Sequence, residues 1–259
     1  MGELYALVSA GGAPGVTTAA VALALAWPGP AIVAECDPSG GDILAGLLAG
    51  QVPAQRGVTE HAIEAGGNGA AAADGLRSIL VPLDEDRTRM VLPGLTDPRQ
   101  AAGLAPAWPS VAATLAGQSA DVIADCGRLD AGPGQPHAVL AAARTVALVL
   151  RPTLRQVWSA RPRIDMLRQL AGGSSDKLAL LLTGPGTHSV RDVAHALGLP
   201  VAAALPDDSR SAALLSDGLG THRQLMSGAL LRAAVVAGRA LRDHNTVVAR
   251  QLAEAGADR

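Results

Sequence analysis

The sequence predicts a doubly wound α/β domain built on a mostly parallel sheet of seven or eight strands. Three observations support this prediction. Short apolar segments recur along the chain, helical stretches separate many of them, and most segments end in a glycine-rich or polar loop. Apolar strands without a polar face are typical of a parallel sheet covered on both sides. Such sheets bind ligands at the carboxyl edge of their strands, so we expect a site there.

The first elements form a βαβ unit. Leu4–Ser9 is a short apolar strand, and the glycine loop Ala10–Pro14 follows it. Val16–Trp27 is predicted to be a helix that Pro28 stops, because proline cannot continue a helix. Ala31–Glu35 is the next buried strand, and a polar, glycine-rich segment follows its end. The order of strand, glycine loop, helix and strand predicts two parallel strands with the helix packed across them.

The rest of the chain continues this alternation. Further strands are predicted at Ser78–Pro82, Arg89–Leu92, Asp121–Ala124, Val146–Leu150, Leu178–Leu182 and Val201–Leu205. The main helices are predicted at Leu154–Leu170, Ser189–Leu197 and Leu225–Arg242. No internal repeat or long low-complexity linker divides the sequence, and Ala65–Asp74 is flexible in composition but too short to separate two cores. We therefore expect one domain over residues 1–259, with a C-terminal helix at about 225–256 packing on it.

Composition excludes several classes of protein. Of the 259 residues, 49% are hydrophobic but only 2% are aromatic, so base-stacking platforms for single-stranded nucleic acid are not expected. A net charge of −2 gives no strong nucleic-acid or membrane signal. The N-terminus lacks the basic region and cleavage site of a signal peptide, and Pro28-Gly29-Pro30 interrupts the uncharged stretch near it. We expect a cytoplasmic protein.

The loop after the first strand has the features of a phosphate-binding loop. Gly11, Gly12 and Gly15 allow backbone N–H groups to converge on an anion. A predicted helix begins directly behind them, and its N-terminus favours negative charge. Thr17 and Thr18 supply hydroxyl groups that hold Mg²⁺ in such loops. The alternative is a glycine turn that merely packs the helix against the strand.

This segment resembles the loop of the MinD/ParA group of deviant P-loop ATPases, whose pattern is Lys-Gly-Gly-x-Gly-Lys-Thr-Thr. Here it is filled, in order, by Gly11, Gly12, Ala13, Pro14, Gly15, Val16, Thr17 and Thr18. Three later segments are also similar to parts of the family: Glu35–Pro38, Asp121–Gly127 and the run from Gly198 to Asp208. The resemblance therefore covers most of the chain.

The resemblance implies ATP or ADP with Mg²⁺ as cofactors, held by the eight loop residues. It implies that Thr17 and Asp125 bind the metal, that Asp37 orients an attacking water, and that Pro206 and Asp207 lie beside the base. It also implies a face-to-face homodimer and a protein partner. N-capping of a following helix is the alternative role for Asp37 and Asp125. In many members of the family an asparagine recognises the adenine base. Thr183 and the glycine after it replace that asparagine here.

The departures from the family pattern concern charge. Gly11 and Val16 occupy both lysine positions, and no Lys or Arg precedes Arg56. Losing one charge-assisted hydrogen bond of roughly 1.5–3 kcal/mol weakens phosphate binding about 10- to 100-fold. Cations that stabilise a transferring phosphoryl group contribute about 10³–10⁵ in rate, so we expect at most a weak ATPase. Arg128 or Arg151 could supply a cation, or could instead pair with Asp130 or surface carboxylates.

These features predict a nucleotide-responsive positioning or assembly factor with weak or no ATPase activity. A nucleotide-independent scaffold that recruits a secretion, pilus or partitioning partner is one alternative. A true ATPase with an unconventional cation is another. Cys36 and Cys126 are interpreted as small buried hydrophobes, with a redox or soft-metal role as the alternative. Glu35 lies on the family's first acidic position or simply hydrogen-bonds the loop.

Overall fold

The computed structural model of the chain describes residues 1–48, 50, 57–65, 75–218 and 222–257, the helical residues 222–223 and 245–257 as backbone only. Eight strands form one sheet in the order β3-β4-β2-β5-β1-β6-β7-β8. The pairings are parallel except that of β3 with β4. The strands are β1 Leu4–Ser9, β2 Ala31–Glu35, β3 Val81–Pro82, β4 Arg89–Leu92, β5 Asp121–Arg128, β6 Thr145–Leu150, β7 Leu178–Thr183 and β8 Val201–Leu205. The predicted fold class is confirmed.

Helices cover both faces of the sheet. They are α1 Val16–Ala26, α2 Val58–Ala65, α3 at residues 75–79, α4 Ala101–Leu104, α5 Trp108–Ala116, α6 His137–Ala142, α7 Leu154–Leu170, α8 Val190–Leu197, α9 Ser209–Asp217, α10 His222–Met226 and α11 Ala229–Ala257. Residues of α1, α9 and α11 share one buried apolar cluster with β1 and β2. Residues of α2 and α4 to α8 share a second cluster on the opposite face.

The first helix is buried almost all round because its sequence is apolar on every face. Nine of its residues are buried, and it packs between the sheet, α9 and α11. Behind its last turn, Trp27 donates its indole N–H to Asp121 at 2.8 Å. The Arg242 guanidinium of α11 lies 3.5 Å from the same carboxylate. These contacts fix the C-terminal end of α1 at the amino edge of the sheet. The N-terminus of α1 therefore lies at the carboxyl edge.

Three element boundaries differ from the sequence predictions by more than one residue. β5 continues to Arg128, beyond its predicted end at Ala124. The strand expected at Ser78–Pro82 is wrong over its first half, because residues 75–79 are helical and β3 is only Val81–Pro82. Pro82 has no N–H to donate, which limits this edge strand. The C-terminal helix begins at Ala229, because the turn at 227–228 separates it from α10. The Asp208 carboxylate accepts from the Leu230 N–H at 3.1 Å and so fixes this second start.

The flexible segment, the cellular location and the number of domains are expectations that the fold does not test. The segment expected to be flexible, Ala65–Asp74, lies outside the described residues apart from Ala65. None of the helices in the described part of the chain is both long enough and apolar enough to cross a membrane. Cytoplasmic location and the single-domain organisation stay predictions.

Candidate functional site

The glycine loop joins β1 to α1 at the carboxyl edge of the sheet. Gly12 has φ 71° and Gly15 has φ 89°, a region that side chains other than glycine rarely adopt. Gly15 is the N-cap of α1, and no side chain caps this end of the helix. The first amide groups of α1 are therefore left for a ligand, which is the arrangement that phosphate groups bind.

One side chain from a neighbouring strand holds the loop, and a second side chain lies close to it. Thr183, at the end of β7, donates its hydroxyl to the Pro14 carbonyl at 2.8 Å. The buried Gln156 of α7 accepts from the Arg151 N–H at 2.7 Å. Its amide nitrogen lies 3.3 Å from where a Cβ on Gly12 would stand, so a side chain at Gly12 would meet α7.

A cavity of about 740 Å³ opens in front of the loop. It extends from the start of α1 to the segment after β2 and to the last turn of α9. Its lining includes Gly12, Ala13, Pro14, Gly15, Val16, Thr17, Thr18, Asp37, Ser39, Asp42, Gly127 and Arg128. The loop is thus open to this cavity on one side.

Thr17 lines this cavity, and the buried Asp125 lies behind it. The Thr17 side chain hydrogen-bonds the Asp125 carboxylate, which also accepts from the Gly127 N–H at 2.9 Å. Asp125 is 1% exposed, and burial raises its pKa to about 6, while both hydrogen bonds oppose that rise. A hydroxyl and one carboxylate beside a phosphate site suit Mg²⁺, which binds through few protein oxygens together with phosphate and water. The residues present fit that ion.

Asp37 borders the cavity opposite the loop. Its carboxylate accepts from the Ser39 N–H at 2.7 Å within a turn, so it does not cap a helix. A Cβ on Gly127 would come 2.1 Å from Asp37 Cγ, and Gly127 has φ 61°. Only glycine at this position lets the Asp37 side chain lie against β5. The carboxylate thereby stays at the cavity wall.

Glu35 organises the segment that faces the loop. Its carboxylate accepts from the Asp42 N–H at 2.8 Å, the Ile43 N–H at 2.9 Å and the Gly94 N–H at 2.9 Å. Burial raises its pKa to about 7, against the lowering effect of these three bonds. Glu35 therefore fixes the backbone after β2, which is the second of the two roles expected for it.

Gln156 is a further supporting residue that the sequence analysis did not identify. The sequence gives no signal for it beyond its place in the first turn of a helix.

The two candidate arginines lie at different ends of the site. Arg128 lines the large cavity, whereas Arg151 lines a neighbouring cavity of about 120 Å³ together with Pro206, Asp207 and Gly184. No ion pair links either guanidinium to a carboxylate in the described part of the chain. The expected pairing of Arg128 with Asp130 is absent there; one Asp130 oxygen accepts from the Ala131 N–H at 2.7 Å instead.

The second cavity contains Pro206 and Asp207, the two residues that the resemblance places beside the base. Pro206 and Asp207 are exposed at its rim. Asp208 is committed to structure, because it caps α9 by accepting from the Ser211 N–H at 3.0 Å and the Ser211 hydroxyl at 2.7 Å. Thr183 is likewise committed to the Pro14 carbonyl. Of the polar side chains that line this cavity, those of Thr18, Arg151 and Asp207 have no hydrogen bond or ion pair to the described residues.

The cysteines and histidines form no chemical centre in the described residues. Cys36 and Cys126 follow paired positions of β2 and β5, are unbridged, and are each 1% exposed. Burial raises the pKa of both thiols, which matches small buried hydrophobes. His188 precedes α8, and His195 is exposed on it. The described residues hold no group of three or more His, Cys, Asp or Glu side chains suited to a metal.

Comparison with known proteins identifies the fold. No protein-family model matches the chain, and no curated protein matches its sequence. A ParA family ATPase from Chlorobium tepidum TLS is similar with a TM-score of 0.73 and 13% identity, over 91% of this chain and 98% of that one. The septum site-determining protein MinD from Pyrococcus horikoshii OT3, complexed with Mg-ADP, has a TM-score of 0.68 and 18% identity, over 92% and 95%.

A third solved structure is the MinC:MinD cell division protein complex of Aquifex aeolicus. It is similar with a TM-score of 0.65 and 12% identity, over 93% of this chain and 96% of that one. In all three cases the similarity covers more than nine-tenths of both chains. The chain has the fold of the MinD and ParA ATPases.

Proposed function

We propose that the chain binds ATP or ADP with Mg²⁺ at the carboxyl edge of its sheet and acts as a slow nucleotide-responsive positioning or assembly factor. The observation that carries this proposal is the open cavity in front of the uncapped N-terminus of α1, which Thr17 lines with the buried Asp125 carboxylate behind it. The fold neighbour from Pyrococcus horikoshii, which is a Mg-ADP complex, supports the choice of ligand.

Each part of the site has a separate role in this proposal. The backbone N–H groups between Gly11 and Thr18, except at Pro14, which has none, hold the phosphates, and Thr17 and Asp125 hold the metal. Mg²⁺, when bound, neutralises phosphate charge. Asp37 orients the attacking water from the opposite wall. Pro206 and Asp207 contact the base at the rim of the smaller cavity.

Turnover is slow in this proposal because the loop supplies no cation. Val16 lies at the first position of α1, lines the cavity and is 7% exposed. It therefore presents an apolar surface where the family pattern has lysine. Backbone amides bind ground-state phosphates, but a lysine adds charge that acts on the transferring group. Binding without efficient hydrolysis follows.

Self-association through the loop edge belongs to the same proposal. Gly12 and Ala13 are exposed there, so a second copy can approach the bound nucleotide. A protein partner would then recognise the nucleotide-bound dimer. The MinC:MinD complex, whose MinD chain has this fold, supports a partner of this general kind.

A scaffold that has abandoned nucleotide is the second candidate function. The observation in its favour is the charge of the large cavity: among its described lining residues, Asp37 and Asp42 are acidic and Arg128 is basic. A cavity with two carboxylates and one cation attracts a polyphosphate only weakly unless a metal ion is present. In this candidate, the exposed loop edge contacts a partner directly.

Calorimetric titration with ATP, with and without Mg²⁺, separates the two candidates. The switch predicts micromolar binding that is at least about tenfold tighter with Mg²⁺ than without it. Hydrolysis in the same sample should stay far below one turnover per second, in contrast with the typical kinase range of about 1–100 per second. No heat of binding and no thermal shift with either ligand mixture would contradict the switch and support the scaffold.

A further inference from the structure

We infer that Arg128 supplies in cis a cation that strengthens binding of the distal phosphates of the nucleotide. In this inference Arg128 contributes to affinity and does not replace the loop lysine that acts on the transferring group, so turnover stays slow. This inference rests on the proposed function, because it assigns a residue to the same site. Arg128 lies on β5, outside the loop itself, so the loop pattern does not include it.

The backbone fixes Arg128 next to the loop. Arg128 is opposite Ser9 in the parallel pairing of β5 with β1, and Ser9 is the last residue before the loop begins. The Leu129 N–H donates to the Ser9 carbonyl at 2.8 Å, and the Ser9 hydroxyl donates to the Gly127 carbonyl at 3.4 Å. Bonds on both sides of Arg128 therefore hold its backbone against the start of the phosphate loop.

The charges of the cavity favour a role for this side chain. Among the described residues that line the large cavity, Arg128 is the basic one, facing the carboxylates of Asp37 and Asp42. The Arg128 side chain is exposed, and no ion pair to a described carboxylate holds it. An arginine beside a phosphate site forms charge-assisted and often bidentate hydrogen bonds.

The position of Arg128 relative to the base end decides which phosphates it meets. Ala13, Pro14, Gly15 and Thr18 line both cavities, so the loop lies between them. Arg128 lines only the cavity that also contains Asp37, whereas Arg151 lines only the cavity beside Asp207. A nucleotide with its base at Asp207 places its β- and γ-phosphates on the side of Arg128. Arg151 would then lie near the base and ribose.

Nucleotide affinities of single variants of the full chain test this assignment. Arg128→Ala should weaken Mg-ATP and Mg-ADP binding about 10- to 100-fold while leaving AMP binding unchanged. Arg128→Lys should keep part of the affinity, since it keeps the charge but loses the bidentate geometry. The matched control is Arg155→Ala, which removes an exposed arginine of α7 that lines neither cavity. It should stay within about twofold of the parent.

A rescue variant makes the test independent of any local effect of the alanine. Val16→Lys in the Arg128→Ala background should restore ATP affinity, because Val16 lines the same cavity. If the parent binds Mg-ATP and Arg128→Ala binds it equally well, the assignment is wrong while the proposed function stands. If the parent binds no nucleotide, the proposed function fails first and this inference falls with it.

Discussion

The proposed phosphate end and the proposed base end of the site differ in how their polar groups are used. At the proposed phosphate end, Gly12 and Gly15 have positive φ and Thr17 contacts Asp125, although the loop contains no lysine. At the proposed base end, Thr183 and Asp208 are committed to holding the loop and capping a helix. This difference teaches that the loop adopts its backbone shape without lysine side chains. Base recognition, in contrast, needs free side chains, and few remain.

The largest effect is expected from a substitution that disrupts the proposed phosphate end. Gly127→Ala should lower the free energy of unfolding by about 1–3 kcal/mol, since it forces a side chain into positive φ and against the Asp37 carboxylate. Mg-ATP affinity should fall at least about 100-fold because Asp37 and Asp125 are displaced together. Urea denaturation and calorimetry measure both quantities. Gly132→Ala, at an exposed glycine with open space around it, is the control and should change neither.

The pH dependence of stability tests the segment that faces the loop. The pKa of Glu35 is about 7 when folded and 4.5 ordinarily, so the folded state holds that proton more tightly. Its contribution to stability is therefore fully present below about pH 4.5 and is lost as the pH rises to about 7. Between these values the parent should lose about 1–3 kcal/mol more than Glu35→Gln. Equal pH dependence of the two unfolding free energies would contradict this assignment.

A smaller effect is expected when only the metal contact is removed. Thr17→Val keeps the shape of the side chain but removes the hydroxyl that bonds Asp125. The gain in ATP affinity that Mg²⁺ provides should fall about tenfold, and Thr17→Ser should preserve it. Titrations with and without Mg²⁺ measure this gain. A Mg²⁺ effect that survives in Thr17→Val would remove Thr17 from the metal site.

The smallest effect is expected at the base end. Thr183→Val should cost about 0.5–1.5 kcal/mol of stability through the lost bond to the Pro14 carbonyl. The ratio of ATP to GTP affinity should stay within about twofold of the parent value, because that hydroxyl is engaged by the Pro14 carbonyl. Competition binding measures the ratio, and Thr183→Ser serves as the control. A change of base preference in Thr183→Val alone would show that the hydroxyl reads the base.

The fold could be predicted because most of its strands are recognisable as short apolar segments in the sequence. β1, β2 and β7 carry no polar face and end in the polar residues Ser9, Glu35 and Thr183, so their place in a parallel sheet could be predicted from the apolar pattern. The sequence pattern failed at residues 78–79, where an apolar pair next to a polar serine fits a helix end as well as a strand. Short edge elements carry too few residues for either periodicity to show.

The site could be predicted only for residues that belong to a recognised motif. Thr17 and Asp125 are far apart in the chain, and the resemblance alone predicts that they share a site. The roles of Gln156 and Glu35 could not be read in this way, because they depend on which backbone groups fold against them. Whether Arg128 or Arg151 lies near the phosphates also needed the structure, since each simply follows the end of an apolar strand.

The ratio of AMP to ADP dissociation constants, measured by calorimetry in saturating Mg²⁺, tests the central claim most directly. The claim is that the amides of the glycine loop, with Thr17 and Asp125, still bind a β-phosphate in the absence of lysine. The account predicts that ADP binds at least about tenfold more tightly than AMP. Equal affinities, or no binding of either nucleotide, would contradict it.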